Sequence, residues 1–101
     1  MATGTIKNKP NNIGNYTDIT SRQTFADRFV FPSEGYLELI QSGGNTNCRV
    51  YGKNATSESD TRFTVKAPGN ELTTIVYVRQ GMQAYVYSFS GNGWARFYPL
   101  V

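Results

Sequence analysis

The chain has 101 residues, 39% hydrophobic and 14% aromatic, with ten basic residues, seven acidic residues and no histidine. A domain of this size buries roughly two-thirds of the surface its unfolded form exposes, so one core suffices, and no apolar run approaches the ~20 residues of a membrane helix. The absence of histidine removes the usual general base, the commonest metal ligand and every Ser/His or Cys/His pairing.

A single cysteine, Cys48, excludes an internal disulfide and a thiolate metal cluster. The reading is therefore of a non-enzymatic chain with no cofactor and no metal. The net charge of +3 comes from basic residues scattered between Lys7 and Arg96. A phosphate-tracking surface concentrates its cations on one face, so neither nucleic acid nor membrane is expected as a partner.

In chain order, residues 1–24 read as a polar arm rich in Asn, Thr, Gly and Lys, extended, with one short strand expected around Tyr16 to Ile19. Its beginning, "MATGTIKNKPNN", lacks the apolar core of a signal peptide. Residues 20–28 fit two patterns. Ser21 can cap a short helix that sets Phe25 and Phe29 one turn apart, or Phe25, Phe29 and Phe31 share a strand face.

Residues 25–101 then read as a β-sandwich domain. Short runs rich in Val, Ile, Thr, Tyr and Phe alternate with Gly, Pro and Asn: "RFVF", "YLELIQ", "CRVYGKN", "TRFTVKA", "ELTTIVYVR", "MQAYVYSFS" and "WARFYPLV". The expected fold is all-β, an antiparallel jelly-roll-like sandwich of about seven or eight strands with an extended N-terminal arm. "SGGN" at 42–45 and "SGNG" at 90–93 lack the spacing of a phosphate loop and read as hairpin turns, as does the turn at Gly81. Cys48, two residues from Val50, reads as a small buried hydrophobe. Glu58 and Asp60 in "SESD" lack the ligand spacing of a calcium loop and read as a solvated turn. The "NYT" and "NAT" sequons at Asn15 and Asn54 carry little weight beside so many Asn and Thr residues.

The last three strands are apolar on both faces. Val76 and Val78 stand against Ile75 and Tyr77, Ala84 and Val86 against Tyr85 and Tyr87, and Trp94 and Tyr98 against Ala95 and Phe97. One face makes the core. The other is a subunit interface, a platform on which sugar rings stack, or a surface covered by loops and the arm. For the platform the candidate ligand-binding residues are Trp94, Tyr85 and Tyr87 as stacking rings, with Asn45 and Asn47 as amides for hydroxyl groups.

The C-terminal third, "TTIVYVRQGMQAYVYSFSGNGWARFYPLV", resembles the end of phage tail-fibre, baseplate receptor-binding and head-fibre domains of jelly-roll type. The resemblance lies in Gly81 at a turn after a β-rich strand, the aromatic strand that follows, and the ending Phe97, Tyr98, Pro99, Leu100 and Val101. Where those domains carry an acidic residue after the turn glycine, this chain has Met82. The resemblance implies a virion protein of a bacteriophage: a homo-oligomer, commonly a trimer, attached to other virion proteins through the arm and touching host-surface saccharide. A monomeric carbohydrate-binding module is the alternative.

Overall fold

The computed structural model describes residues 12–68 and 73–101. These residues form an all-β, antiparallel fold of six strands: β1 (Thr17–Asp18), β2 (Phe29–Val30), β3 (Gly35–Tyr51), β4 (Thr61–Pro68), β5 (Thr73–Val78) and β6 (Gln83–Pro99). The helical segments among the described residues are two three-residue 3-10 turns, Phe25–Asp27 and Glu58–Asp60.

The strand count is lower than expected because "SGGN" and "SGNG" are not hairpin turns. They lie inside two 17-residue strands, β3 and β6, which pair antiparallel from Gly35↔Pro99 to Tyr51↔Gln83. Ser42 pairs with Asn92 and Asn45 with Ser90, leaving Gly43 and Gly44 opposite Gly91. Two residues against one is a β-bulge, which bends and twists the strand without reversing it. A second register shift, between Asn47↔Ser88 and Cys48↔Val86, leaves Tyr87 as the extra residue of β6.

These insertions flip the alternation of each strand. In β3 the buried positions run Leu37, Leu39 and Gln41, then Thr46, Cys48 and Val50; in β6, Ala84 and Val86 face the core, then Ala95 and Phe97. A single extra residue in each strand therefore keeps one continuous face inward on both sides of the bend.

The bulges divide the sheet into two halves. In the first half, the start of β3 pairs with β5 on one side and the end of β6 on the other, with β1 beyond. In the second, the end of β3 pairs with β4 and the start of β6, with β2 beyond. A straight strand would hold Met82 and Phe97 about 50 Å apart. Yet Phe31, whose amide donates to Met82 O at 2.8 Å, brings its ring to 5.0 Å from that of Phe97. The sheet has folded back on itself, and one core cluster draws on both halves, among them Leu37, Val50, Val65, Val78, Val86 and Phe97. Cys48 is in this core, and burial pushes its thiol up to about 12.

Residues 12–31 follow β6 along its outer edge. Val101 N donates to Asn12 O, Gly14 N to Pro99 O, Ile19 N to Ala95 O and Val86 N to Arg22 O. Ile13 and Ile19 are buried, so residues 12–24 lie against the sheet, with β1 where a short strand is expected. The first eleven residues of the arm, and Leu72 with the turn "PGN" from Gly69, lie outside the described residues. The two patterns at 20–28 resolve locally. Thr24, not Ser21, caps the 3-10 turn, which carries Phe25 to the outer face, while Phe29 and Phe31 join the core side.

The bend depends on backbone approaches that admit no side chain. A Cβ on Gly44 would sit 2.2 Å from Ser90 O, and one on Gly93 2.1 Å from Ile40 O. Gly43 (φ 98°) faces open space. Gly44→Ala should lower stability by about 3 kcal/mol through overpacking against the backbone, and Gly43→Ala by about 1 kcal/mol from its positive φ alone. Urea unfolding of the two variants measures the difference.

Candidate functional site

The non-core face divides at the bulges into a covered half and a half that remains partly open. On the second half, Tyr51 and Tyr85 stack with ring centroids 6.3 Å apart, and Phe25 packs edge-on to Tyr51 at 5.2 Å. Ala55, from the segment after β3, joins this cluster. Around it Arg28 lies 4.0 Å over the Phe25 ring and Arg49 4.4 Å over the Tyr87 ring. Arg49 Nη1 donates to Tyr85 OH at 3.2 Å and pairs with Glu58 at 3.7 Å. Burial pushes the Tyr85 phenol up, although Arg49 pulls it the other way. This half is covered by the chain's own segments at 25–28 and 55–58.

Glu58 and Asp60 belong to a built turn. Asp60 Oδ2 accepts from Thr56 N and Ser57 N at 3.0 and 3.1 Å, closing a capping box around Glu58–Asp60. Among the described residues no group of three or more metal-ligating side chains comes together.

On the first half the outer side chains are Tyr36, Glu38 and Ile40 of β3, Trp94, Arg96 and Tyr98 of β6, and Ile75 and Tyr77 of β5. Glu38 is fully buried, opposite Arg96 on one neighbouring strand and Ile75 on the other. Its Oε1 accepts from Trp94 Nε1 at 3.1 Å and from Tyr98 OH at 3.5 Å. Burial, with the Glu38 carboxylate second, pushes the Tyr98 phenol up. Arg96 lies over two rings, 3.9 Å from Trp94 and 4.1 Å from Tyr16, with its Nε 3.6 Å from Asp18 Oδ2. The Tyr77 hydroxyl donates to Glu34, a bond that raises its phenol. Tyr16, Ile75 and Tyr77 remain 40–45% exposed around this centre.

The five sequence-derived candidates do not converge. Tyr85 is buried in the covered half; Tyr87 lies under Arg49 there, beside Asn47 at the second register shift. Asn45 is exposed at the bulge, its backbone N–H donating to Ser90 Oγ at 3.3 Å. Trp94 belongs to the other half, seven residues from Tyr87, about 20 Å along a strand. Its indole N–H is taken by Glu38 and one ring face by Arg96, so less of it is available for a sugar ring than an unencumbered tryptophan offers.

Sequence reasoning passed over Glu38, Arg96, Tyr16, Tyr36 and Tyr77 as site residues. The signal was present in the alternation: Glu38 stands between Tyr36 and Ile40, and Arg96 between Trp94 and Tyr98, each a charge on an otherwise apolar face. A charge so placed needs a partner on the neighbouring strand.

No family model, no curated protein and no solved structure matches the chain.

Arg96→Ala should cost about 1–2 kcal/mol, since the guanidinium covers two rings in a partly desolvated site, and Arg96→Lys should recover only part, an ammonium having no plane to stack. Trp94, the only tryptophan, reports both directly by fluorescence during denaturant unfolding. Tyr51 OH is buried without a hydrogen-bond partner among the described residues. Tyr51→Phe should therefore leave the melting temperature unchanged or raise it.

Proposed function

We propose that the chain is a structural module of a bacteriophage virion, a fibre, decoration or receptor-binding head domain, that works as a homo-oligomer. The observation that carries this reading is the partly open aromatic face of the first half, where Tyr16, Ile75 and Tyr77 are 40–45% exposed around Trp94 and the buried Glu38. Interfaces are enriched in Tyr, Trp and Arg, and clustered exposed apolar side chains mark surfaces that a partner covers. The rigid setting of Arg96 and Trp94 favours assembly, since side chains already held in place lose little freedom on docking.

The virion class and the trimeric state come from the resemblance of the chain's ending to phage fibre and receptor-binding domains. In this reading the N-terminal arm joins the module to other virion proteins, and its distal surface touches host saccharide. A monomeric module binding sugar at Trp94 is the weaker alternative, because Glu38 and Arg96 already occupy the indole.

Light scattering on the purified protein should give a mass of three chains at micromolar concentration. Ile75→Lys, which places a charge at an exposed position of β5, should shift that mass to one chain while leaving the far-ultraviolet spectrum and unfolding curve close to wild type. A wild-type protein that stays a stable monomer at these concentrations overturns the assembly reading.

A further inference from the structure

We propose that the groove between the turn at residues 52–55 and the start of β4 binds an acidic saccharide, a sugar ring bearing a carboxylate, through Lys53 and Arg62. Two adjoining hollows of about 380 and 490 Å³ share Gly52, Lys53 and Arg62 in their walls, within the size range of small-molecule sites. Asn54 and Asp60 complete one and Phe63 and Met82 the other.

Both cations are seated by glycines. A Cβ on Gly52 would meet Arg62 Nε at 3.0 Å and Nη2 at 3.1 Å, and a Cβ on Gly81 would meet Lys53 Cγ at 3.0 Å. The guanidinium and the lysine stem therefore lie flat on backbone that carries no side chain. Gly81 has a positive φ of 86°, a conformation other residues adopt only at a cost. Neither the Lys53 ammonium nor the Arg62 guanidinium has a hydrogen-bond or ion-pair partner among the described residues. The Asp60 carboxylate, in the wall of the first hollow, is turned by its Oδ2 to the amides of Thr56 and Ser57, at 3.0 and 3.1 Å.

Two pre-seated cations, neither of them ion-paired among the described residues, suit a carboxylate, with the fork of Arg62 placed for bidentate contact. The other walls indicate what carries that carboxylate. Asn54 offers an amide with both donor and acceptor for ring hydroxyls, and Phe63, 39% exposed, offers an aromatic face for a sugar's C–H surface. A polynucleotide is disfavoured because it is held by a track of cations at phosphate spacing, whereas Lys53 and Arg62 meet at a single hollow. The inference is independent of assembly, since none of these residues belongs to the aromatic face of the first half.

The test is backbone-amide NMR titration of the full chain with a hyaluronan tetrasaccharide and with 3′-sialyllactose, beside their neutral counterparts chitotetraose and lactose, and an oligothymidylate. Saturable shifts at Gly52–Asn54 and Arg62–Phe63 are expected with at least one acidic sugar. Affinity should fall at least tenfold in a Lys53→Gln/Arg62→Gln variant and stay unchanged in Lys66→Gln, a substitution on exposed β4 outside the groove. Equal binding of neutral and acidic sugars overturns the role of the cations, tighter binding of oligothymidylate replaces the saccharide with nucleic acid, and no shift with any probe removes the site. The Ile75→Lys variant should bind as wild type does, which separates failure of this inference from failure of the assembly reading.

Discussion

The fold rests on a close backbone approach between β3 and β6 at the bulge. Gly44 and Gly93 each lie where a methyl group would overlap a carbonyl oxygen of the opposite strand. Without that approach the two 17-residue strands would run on straight, and the inward faces of their two ends would lie too far apart to share a core. With it, the ribbon bends, the extra residue changes the phase of alternation, and inward-facing side chains of both halves meet in one cluster. Gln41 makes the bend polar inside without leaving it unsatisfied. Its Nε2 donates to Ser90 O at 2.7 Å and Thr46 Oγ1 at 2.9 Å, and its Oε1 accepts from Ser42 N at 2.8 Å. One buried amide thus ties together both sides of the bulge and both strands, and a fully satisfied group of this kind fixes a single geometry.

The legible part of the fold was its period of two. Ala84 and Val86, and Ala95 with Phe97, share a face by alternation alone and are buried together. The turn at Gly81 was also readable, because a positive φ at a loop position is a local property. The glycine-rich segments "SGGN" and "SGNG" were misleading for a physical reason. Gly, Ser and Asn favour a hairpin turn, and the same residues favour a bulge; what separates the two is whether a partner strand lies alongside. That partner, for residues 42–45, is residues 90–92, nearly fifty positions later. No local pattern carries that information.

The candidate sites failed to emerge from sequence for the same reason. Tyr85, Tyr87 and Trp94 are close in sequence and aromatic, which suggested one platform; the bulges and the burial of Tyr85 divide them. Glu38 and Arg96 are 58 positions apart and face each other directly across the β3–β6 ladder. Lys53 and Arg62 were hidden in a scattered basic composition. Their relation depends on the path of residues 52–60 and on two glycines, one of them brought from the β5–β6 turn. Clustering in space, not abundance, is what gives a charge meaning.

The same bend that builds the core also separates the surfaces. Because both long strands pass through it, each contributes one segment to the aromatic face of the first half and another to the covered face of the second. β3 presents Tyr36 and Glu38 before the bulge and Arg49 and Tyr51 after it; β6 presents Tyr85 before and Trp94 and Arg96 after. The segment that brings Ala55 over the second half also carries Lys53 and Asn54, so the groove is shaped by a loop stacked on the sheet. Among the described residues no such loop covers Ile75 and Tyr77, which lie on β5 at the sheet's edge and are 40% and 42% exposed. A copy docking there would cover apolar surface without obstructing the loops of the other half, leaving them facing outward. The separation of the two surfaces thus follows from a single inserted residue in each of two strands.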